Sequence, residues 1–342
     1  MPQLNSAEML STPALPPSVV FCPPSPYNHG LPAFSVEAPR GMTMLNRSFG
    51  VLILGVLMIG LAPISVRVSP AGPIATAMWR MGLAVPALFM LGHFAQRSQT
   101  NTAPSPRMIG YFVLSGFFIT GDLVLWHLSI EYTTLAIATL AVNTAPLFVT
   151  IGSLWLFGEP IRRGFLVGFA ITLLGLGALS FKTLDQAGSI IGIGLALGGA
   201  VFYAGYILSL RFLREVNTSQ LMLWNTASSA VILMGTTALS QEVVFPTTWS
   251  GWLPLLILAW VVHVGGQSLI ATAIKEISAS VTAIMLLLQP VIATLVAWVW
   301  FDENLSLLQG TGVVLILVGI YLAKQSASTV APIPPLHAIA SE

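Results

Sequence analysis

Two charged side chains, Arg80 and Asp122, fall well inside long apolar stretches of this 342-residue chain. An ionised group at the centre of a hydrocarbon layer costs at least ~2.5 to 3.5 kcal/mol on insertion scales, so each needs a partner, water or a charged ligand. Arg80 stands about eight residues into its stretch and Asp122 about eight from the end of the next, roughly 12 Å in each case at the helical rise. On consecutive antiparallel helices their depths therefore match. Three readings fit Arg80: a structural ion pair with Asp122, a grip on an anionic group of a ligand, or a side chain that snorkels to the interface. One cation beside one anion suits a zwitterion better than a polyanion, which normally needs several cationic partners.

Uncharged polar residues extend the candidate site. Pro146 and Pro290 each lie near the middle of an apolar stretch, where a missing N–H frees the carbonyls of Val142 and Leu286 and bends the helix. Asn143 and Gln289 stand beside those bends. They either hydrogen-bond an amino or hydroxyl group of a ligand, as kinked helices do at midplane sites, or bridge helices at about 0.6 kcal/mol each. His127, His263, Gln267, Trp126, Trp260, Tyr203 and Tyr206 are further candidates to line a cavity. Trp79, Trp298 and Trp300 read as packing residues or interfacial anchors. Glu159 and Glu303 end equivalent helices and are candidate gates, with pairing to a nearby base such as Arg162 as the plainer alternative. Cys22 is the only cysteine, so no disulfide framework or thiolate metal cluster is expected, and no metal or cofactor.

The elements that must position these residues are membrane helices. Hydrophobic residues form 55% of the chain and charged residues 7%, with mean hydropathy +0.86, far from a soluble composition. Apolar runs of about 20 residues recur, the length a bilayer core requires of a helix. The short alternating segments of a membrane barrel do not occur. The expected fold class is all-α integral membrane, with spans at 49–66, 73–94, 108–130, 133–157, 165–181, 190–210, 220–239, 252–274, 279–301 and 307–323. Loops are short, so any site lies between helices.

Ten spans with the N-terminus in the cytoplasm put ten basic residues inside, Arg211 and Lys275 among them, against Arg67 and Lys182 outside. Both termini are expected to be cytoplasmic. Residues 1–47 are Pro-rich without helical period and read as a disordered tail that lacks a signal-peptide pattern. Met42 and Met44 offer an alternative translation start to Met1. Residues 325–342 form the other tail. No run of Lys or Arg suggests nucleic acid.

Sliding the chain by 144 positions superposes Pro146 on Pro290, Thr150 on Thr294, Phe157 on Phe301, Glu159 on Glu303, Gly168 on Gly312 and Gly175 on Gly319. Chance register between apolar stretches would match Leu with Leu, not prolines, a glutamate and glycines together. The chain thus reads as two five-helix repeats, 48–181 and 189–324, and an odd helix number makes them inverted. Inverted repeats with a midplane site between them are a transporter architecture.

The stretch from Trp126 to Thr134, then Asn143-Thr144-Ala145-Pro146-Leu147 and Gly158-Glu159-Pro160, resembles the first half of an EamA-type member of the drug/metabolite transporter superfamily. Leu288-Gln289-Pro290 with Asp302-Glu303, Gly312 and Gly319 is similar to the close of the second half. The resemblance covers about residues 48–324 and implies ten helices as two inverted repeats. It also implies export or exchange of amino acids and related metabolites. These are scaffold motifs and name no substrate.

The expectation is a secondary transporter in a cell membrane, the bacterial inner membrane, that exports small metabolites such as amino acids or their derivatives. Its partners are a small-molecule substrate, the bilayer, and a proton or counter-substrate. A receptor or scaffold is the alternative, disfavoured by the duplication and scant extramembrane surface. An intramembrane hydrolase lacks a Gly-x-Ser-Gly setting, a His-Glu-x-x-His motif and a second intramembrane aspartate.

Overall fold

The computed structural model describes residues 40–96, 104–184, 189–301 and 306–325. The chain divides into Met1–Arg40 and Gly41–Glu342, and every site residue discussed below belongs to the second unit. The described residues form helices α1 (Arg40–Ile59), α2 (Ala62–Arg67), α3 (Pro73–Gly82), α4 (Ala84–Gln96), α5 (Pro106–Tyr132), α6 (Leu135–Val142), α7 (Ala145–Phe157), α8 (Arg163–Leu184), α9 (Ile190–Phe212) and α10 (Thr218–Leu239). These are followed by α11 (Trp252–Leu256), a π-helical stretch Ile257–Gln267, α12 (Ser268–Ala273), α13 (Ala279–Met285), α14 (Leu288–Phe301) and α15 (Leu307–Gln325). Among the described residues there is no strand. Helix α1 already begins inside the stretch that the sequence reads as tail.

Among the described residues, nine helical runs are long and apolar enough to cross a membrane: Asn46–Arg67, Pro73–His93, Pro106–Tyr132, Ile137–Phe157, Arg163–Phe181, Ile190–Phe212, Trp249–Ala273, Ala279–Trp300 and Leu307–Gln325. Each overlaps one expected span. The expected span at 220–239 is the exception. Helix α10 has 22 residues but carries Asn225, Thr226, Ser228, Ser229, Thr236 and Thr237. Its polar Asn225, Thr226 and Ser229 are buried, whereas Val231 and Met234 are 70% and 60% exposed. In water such a helix would be inside out; in lipid its apolar outer face and hydrogen-bonded inner face are both satisfied.

Several spans are broken rather than continuous. The run Asn46–Arg67 breaks at Gly60 and Leu61 before Pro63, and the runs Ile137–Phe157 and Ala279–Trp300 break at Asn143–Thr144 and Leu286–Leu287, ahead of Pro146 and Pro290. Proline cannot donate to the carbonyl four residues back, so the ladder must skip there. Around the first of these two breaks, Asn143 N bonds Thr139 O, Thr144 N bonds Ala141 O and Leu147 N bonds Thr144 O, which bypasses the carbonyl of Val142. Around the second, Gln289 N donates to Leu286 O at 3.0 Å. The Leu286 carbonyl, expected to be free, is therefore taken up by a tighter turn.

The two halves meet most closely at α8 and α15. A Cβ on Gly168 would stand 2.5 Å from Gly319 O, and one on Gly175 would stand 2.7 Å from Gly312 O. Two helices in which 168 meets 319 while 175 meets 312 run antiparallel. Since the repeat superposes 168 on 312 and 175 on 319, the equivalent last helices of the two halves are inverted with respect to one another. Small residues permit that approach, as is usual between membrane helices. Gly194 and Gly198 serve no such approach: Gly194 has open space and Gly198 meets only the end of the Leu125 side chain.

Candidate functional site

Between the halves lies a cavity of about 100 Å³. Its charged wall comes from α3, which brings Arg80, and α5, which brings Asp122 and Trp126. The breaks ahead of Pro146 and Pro290 bring Asn143 and Gln289, α9 brings Tyr203, and the π-helical stretch brings Gln267. Apolar residues such as Ile59, Ile119, Val142 and Leu287 complete the lining. Both repeats thus contribute, and both proline breaks open onto the same space.

Helix α3 is held from outside the cavity. Glu242 accepts from Ile74 N at 3.2 Å and Ala75 N at 2.9 Å, capping the orphan donors of its first turn. Trp79 Nε1 donates to Val244 O at 2.7 Å, and its ring packs edge-on against Phe245 and Trp252. Trp79 is accordingly a packing residue. Its neighbour Arg80 turns the other way, into the cavity wall.

Arg80 and Asp122 are 6% and 9% exposed. No ion pair of 4.0 Å or less joins them, although the two face one cavity. The structural pair that their matching depths allowed is not formed in this structure. Arg80 Nε and Trp126 Nε1 are buried donors without a hydrogen-bond partner among the described residues. An unmet charged donor in a low-dielectric site is costly, and an anionic ligand group is what would meet it.

The amide side chains differ in freedom. Asn143 Nδ2 donates to Thr139 O at 2.7 Å, which caps its own helix and leaves the amide oxygen as the group free to differ in role. Gln267 is held in place by tyrosines: Tyr206 Oη donates to Gln267 Oε1 at 3.4 Å, and Tyr203 also bonds it. Tyr206 in turn bonds Asn225. Asn225 Nδ2 reaches Ser115 Oγ at 3.5 Å, and Thr226 Oγ1 donates to Asn225 Oδ1 at 3.1 Å and shares a 2.9 Å bond with His263 Nε2.

Of the residues singled out from sequence, Arg80, Asp122, Trp126, Asn143, Gln289, Tyr203 and Gln267 line the cavity. Tyr206 and His263 stand behind its wall in the chain of bonds just described. His127 is buried and donates through Nδ1 to Leu123 O at 2.6 Å, a helix-satisfied histidine that does not line the cavity. Trp260 is not in it either. Its ring is 53% exposed on the outer face and donates to Leu83 O at 3.2 Å. Trp298 and Trp300, 50% and 78% exposed, sit outside as anchors would. Among the described residues no group of His, Cys, Asp and Glu could hold a metal ion.

Glu159, a candidate gate, pairs with Arg211 rather than Arg162. Arg211 Nε donates to Glu159 Oε1 at 3.0 Å, and Nη2 lies 3.0 Å from the same oxygen. Arg211 Nη1 donates to Ile274 O at 3.0 Å, and Ala279 N–H also donates to Glu159. Burial pushes the Glu159 carboxyl above its ordinary range, and the Arg211 guanidinium acts against that. Glu303 lies outside the described residues. Sequence reading missed Arg211, treating it as a loop charge, because it stands one residue past the expected end of its span.

Comparison with known proteins agrees with this architecture. The EamA-like transporter family matches the chain twice, over residues 48–181 and 190–324. An uncharacterized transporter of Bacillus subtilis (strain 168), YyaM, is 23% identical over 265 residues, covering 74% of this chain and 84% of that one. A protein of known crystal structure superposes with a TM-score of 0.71 at 18% identity, over 82% of this chain and 98% of the other, which speaks to the fold alone. With each half matched in turn, the chain belongs to the EamA-like transporter family and is a multi-pass membrane transporter.

Proposed function

We propose that the protein is a secondary transporter that exports small zwitterionic metabolites, amino acids or their derivatives, by alternating access across a bacterial inner membrane. The observation that carries this reading is the pair Arg80 and Asp122, which face one small cavity between the repeats without pairing to each other. A zwitterion supplies a carboxylate for the first and an ammonium for the second, and each ionic hydrogen bond is stronger than a neutral one. Asn143 and Gln289 flank the ligand at the two proline breaks, and Tyr203 and Gln267 close its far side. The modest cavity supports a small solute, and the apolar lining supports a substrate with an apolar side group. A proton or a counter-substrate drives the exchange. Helix α10 is the tenth crossing, and the ten-to-two distribution of basic residues supports cytoplasmic termini. Transport rather than catalysis is its activity.

The test is counterflow. Purified protein in liposomes preloaded with one unlabelled amino acid should take up the same labelled compound faster than protein-free liposomes. Ligands that drive counterflow should also raise the melting temperature by linkage. A panel of zwitterions that gives neither counterflow nor a thermal shift removes the substrate assignment.

A further inference from the structure

We infer that Glu159 and Arg211 form the latch of the inner gate, an ion pair that closes the cytoplasmic end in this conformation and must break for the cavity to open inward. The inference rests on the alternating-access reading and adds to it a named closing contact. Glu159 belongs to the first repeat, just past α7. Arg211, Ile274, Lys275 and Ala279 all belong to the second. The latch therefore joins the two halves at the end where α7, α9 and α12 finish and α13 begins.

Its position fits a gate. From Pro146 at the cavity to Glu159 is thirteen residues along α7 and its cap, roughly 20 Å at the helical rise. Arg211 is wholly buried and Glu159 only 5% exposed, although each stands at a helix end where a long side chain would ordinarily reach water. Water is thus excluded at that level. Ser153 Oγ and Ser280 Oγ, 2.8 Å apart, bring α7 and α13 together just above the latch. Lys275 Nζ donates to Val216 O at 2.9 Å just beyond it.

Stability alone does not account for the pair. A buried ion pair about breaks even against apolar residues of similar volume, and its best-attested use is to specify one arrangement among several. Here the second arrangement is at hand. When the halves part, Arg211 keeps the carbonyls at the end of α12, which belong to its own half, and Glu159 gains water at the opened end. Neither charge is stranded, so the closed and open states can lie close in energy.

The experiment uses the full chain with Cys22→Ser and a reporter Ala283→Cys in the cavity wall. A membrane-impermeant maleimide is applied to each face of oriented membrane vesicles. Glu159→Gln should raise the labelling rate from the inner face at least tenfold and lower it from the outer face, and Arg211→Lys should fall between. A folded Glu159→Gln protein labelled at the parent rate from both faces overturns the latch. Should Glu159→Gln fail to fold, a disulfide between Ser153→Cys and Ser280→Cys in a Cys22→Ser chain decides the matter. Oxidation should abolish counterflow and reduction restore it, whereas full counterflow in the oxidised protein overturns the inner gate. A change in labelling in a protein that moves no zwitterion upholds the latch and removes only the substrate.

Discussion

Replacing Arg80 by leucine separates a ligand grip from a structural charge, because the two roles differ in where the lost energy appears. Arg80 Nε is buried without a partner, and no ion pair links Arg80 to Asp122. Breaking a buried ion pair by removing one member typically costs ~3 to 5 kcal/mol of stability, because the other charge is left bare. With no such pair, Arg80→Leu should change stability far less, and should remove an unmet donor besides. A charge-assisted hydrogen bond to a substrate carboxylate is worth ~1.5 to 3 kcal/mol, about a ten- to hundredfold loss of affinity. The expected result is a melting temperature near the parent's, with counterflow and ligand-induced thermal shift both lost at concentrations that saturate the parent. Arg80→Lys should bind more weakly than the parent because the planar fork is gone. The double variant Arg80→Leu with Asp122→Leu should fold well and still fail to transport. A ligand grip by Arg80 is refuted if Arg80→Leu is severely destabilised and Asp122→Leu restores both folding and flux, or if Arg80→Leu alone transports normally.

Three further outcomes follow from the packing and the topology. Gly168→Ala and Gly319→Ala each place a Cβ about 2.5 Å from a backbone oxygen of the facing helix, so each should cost ~1 to 3 kcal/mol in detergent unfolding. Gly177→Ala meets nothing within 4 Å and should be neutral or slightly stabilising; equal effects at all three positions would contradict the close approach of α8 and α15. Glu242→Ala uncaps α3 and should cost ~1 kcal/mol while weakening ligand binding through Arg80; unchanged binding would show that the loop cap does not position that side chain. A phosphatase fused after residue 342 should be inactive in the periplasm, and activity there would reverse the proposed orientation.

How far the sequence carries depends on which feature is asked of it. The spans are legible because lipid demands long apolar runs, and the duplication because prolines, a glutamate and glycines recur at one spacing. The equal depth of Arg80 and Asp122 is legible too, but not their separation, which depends on helix rotation and tilt that no hydropathy pattern encodes. The Arg211 partner stands 52 residues away in Glu159, across the repeat boundary. Proximity in the chain pointed instead to Arg162. The π-helical stretch Ile257–Gln267 is also hidden, since its apolar residues suit a helix of either pitch. Its wider turn buries His263 and Gln267 and leaves Trp260 facing outward.

The repeat also says which contacts should persist through a transport cycle. Exchanging the conformations of the halves sends a contact between residues of one repeat and the other to its image under the 144-residue shift. The approach of Gly168 to Gly319 maps onto that of Gly312 to Gly175, and both are present together. This helix pair is its own image, so it lies on the pseudo-two-fold axis and need not change. The Glu159–Arg211 pair is not its own image: the shift carries it to positions 303 and 67, which the sequence assigns to the opposite face. Contacts of the first kind form a fixed spine and those of the second kind alternate. Cross-links should therefore behave in opposite ways. A Cβ on Gly319 falls against Thr172 Oγ1, so a disulfide between Thr172→Cys and Gly319→Cys in a Cys22→Ser chain ties α8 to α15 along the spine. Counterflow should survive that cross-link once the oxidised and reduced proteins are compared at equal amounts of folded transporter. If the oxidised spine stops transport while reduction restores it, the pair moves during the cycle, and an exchange of repeat conformations about this axis is not how the protein works.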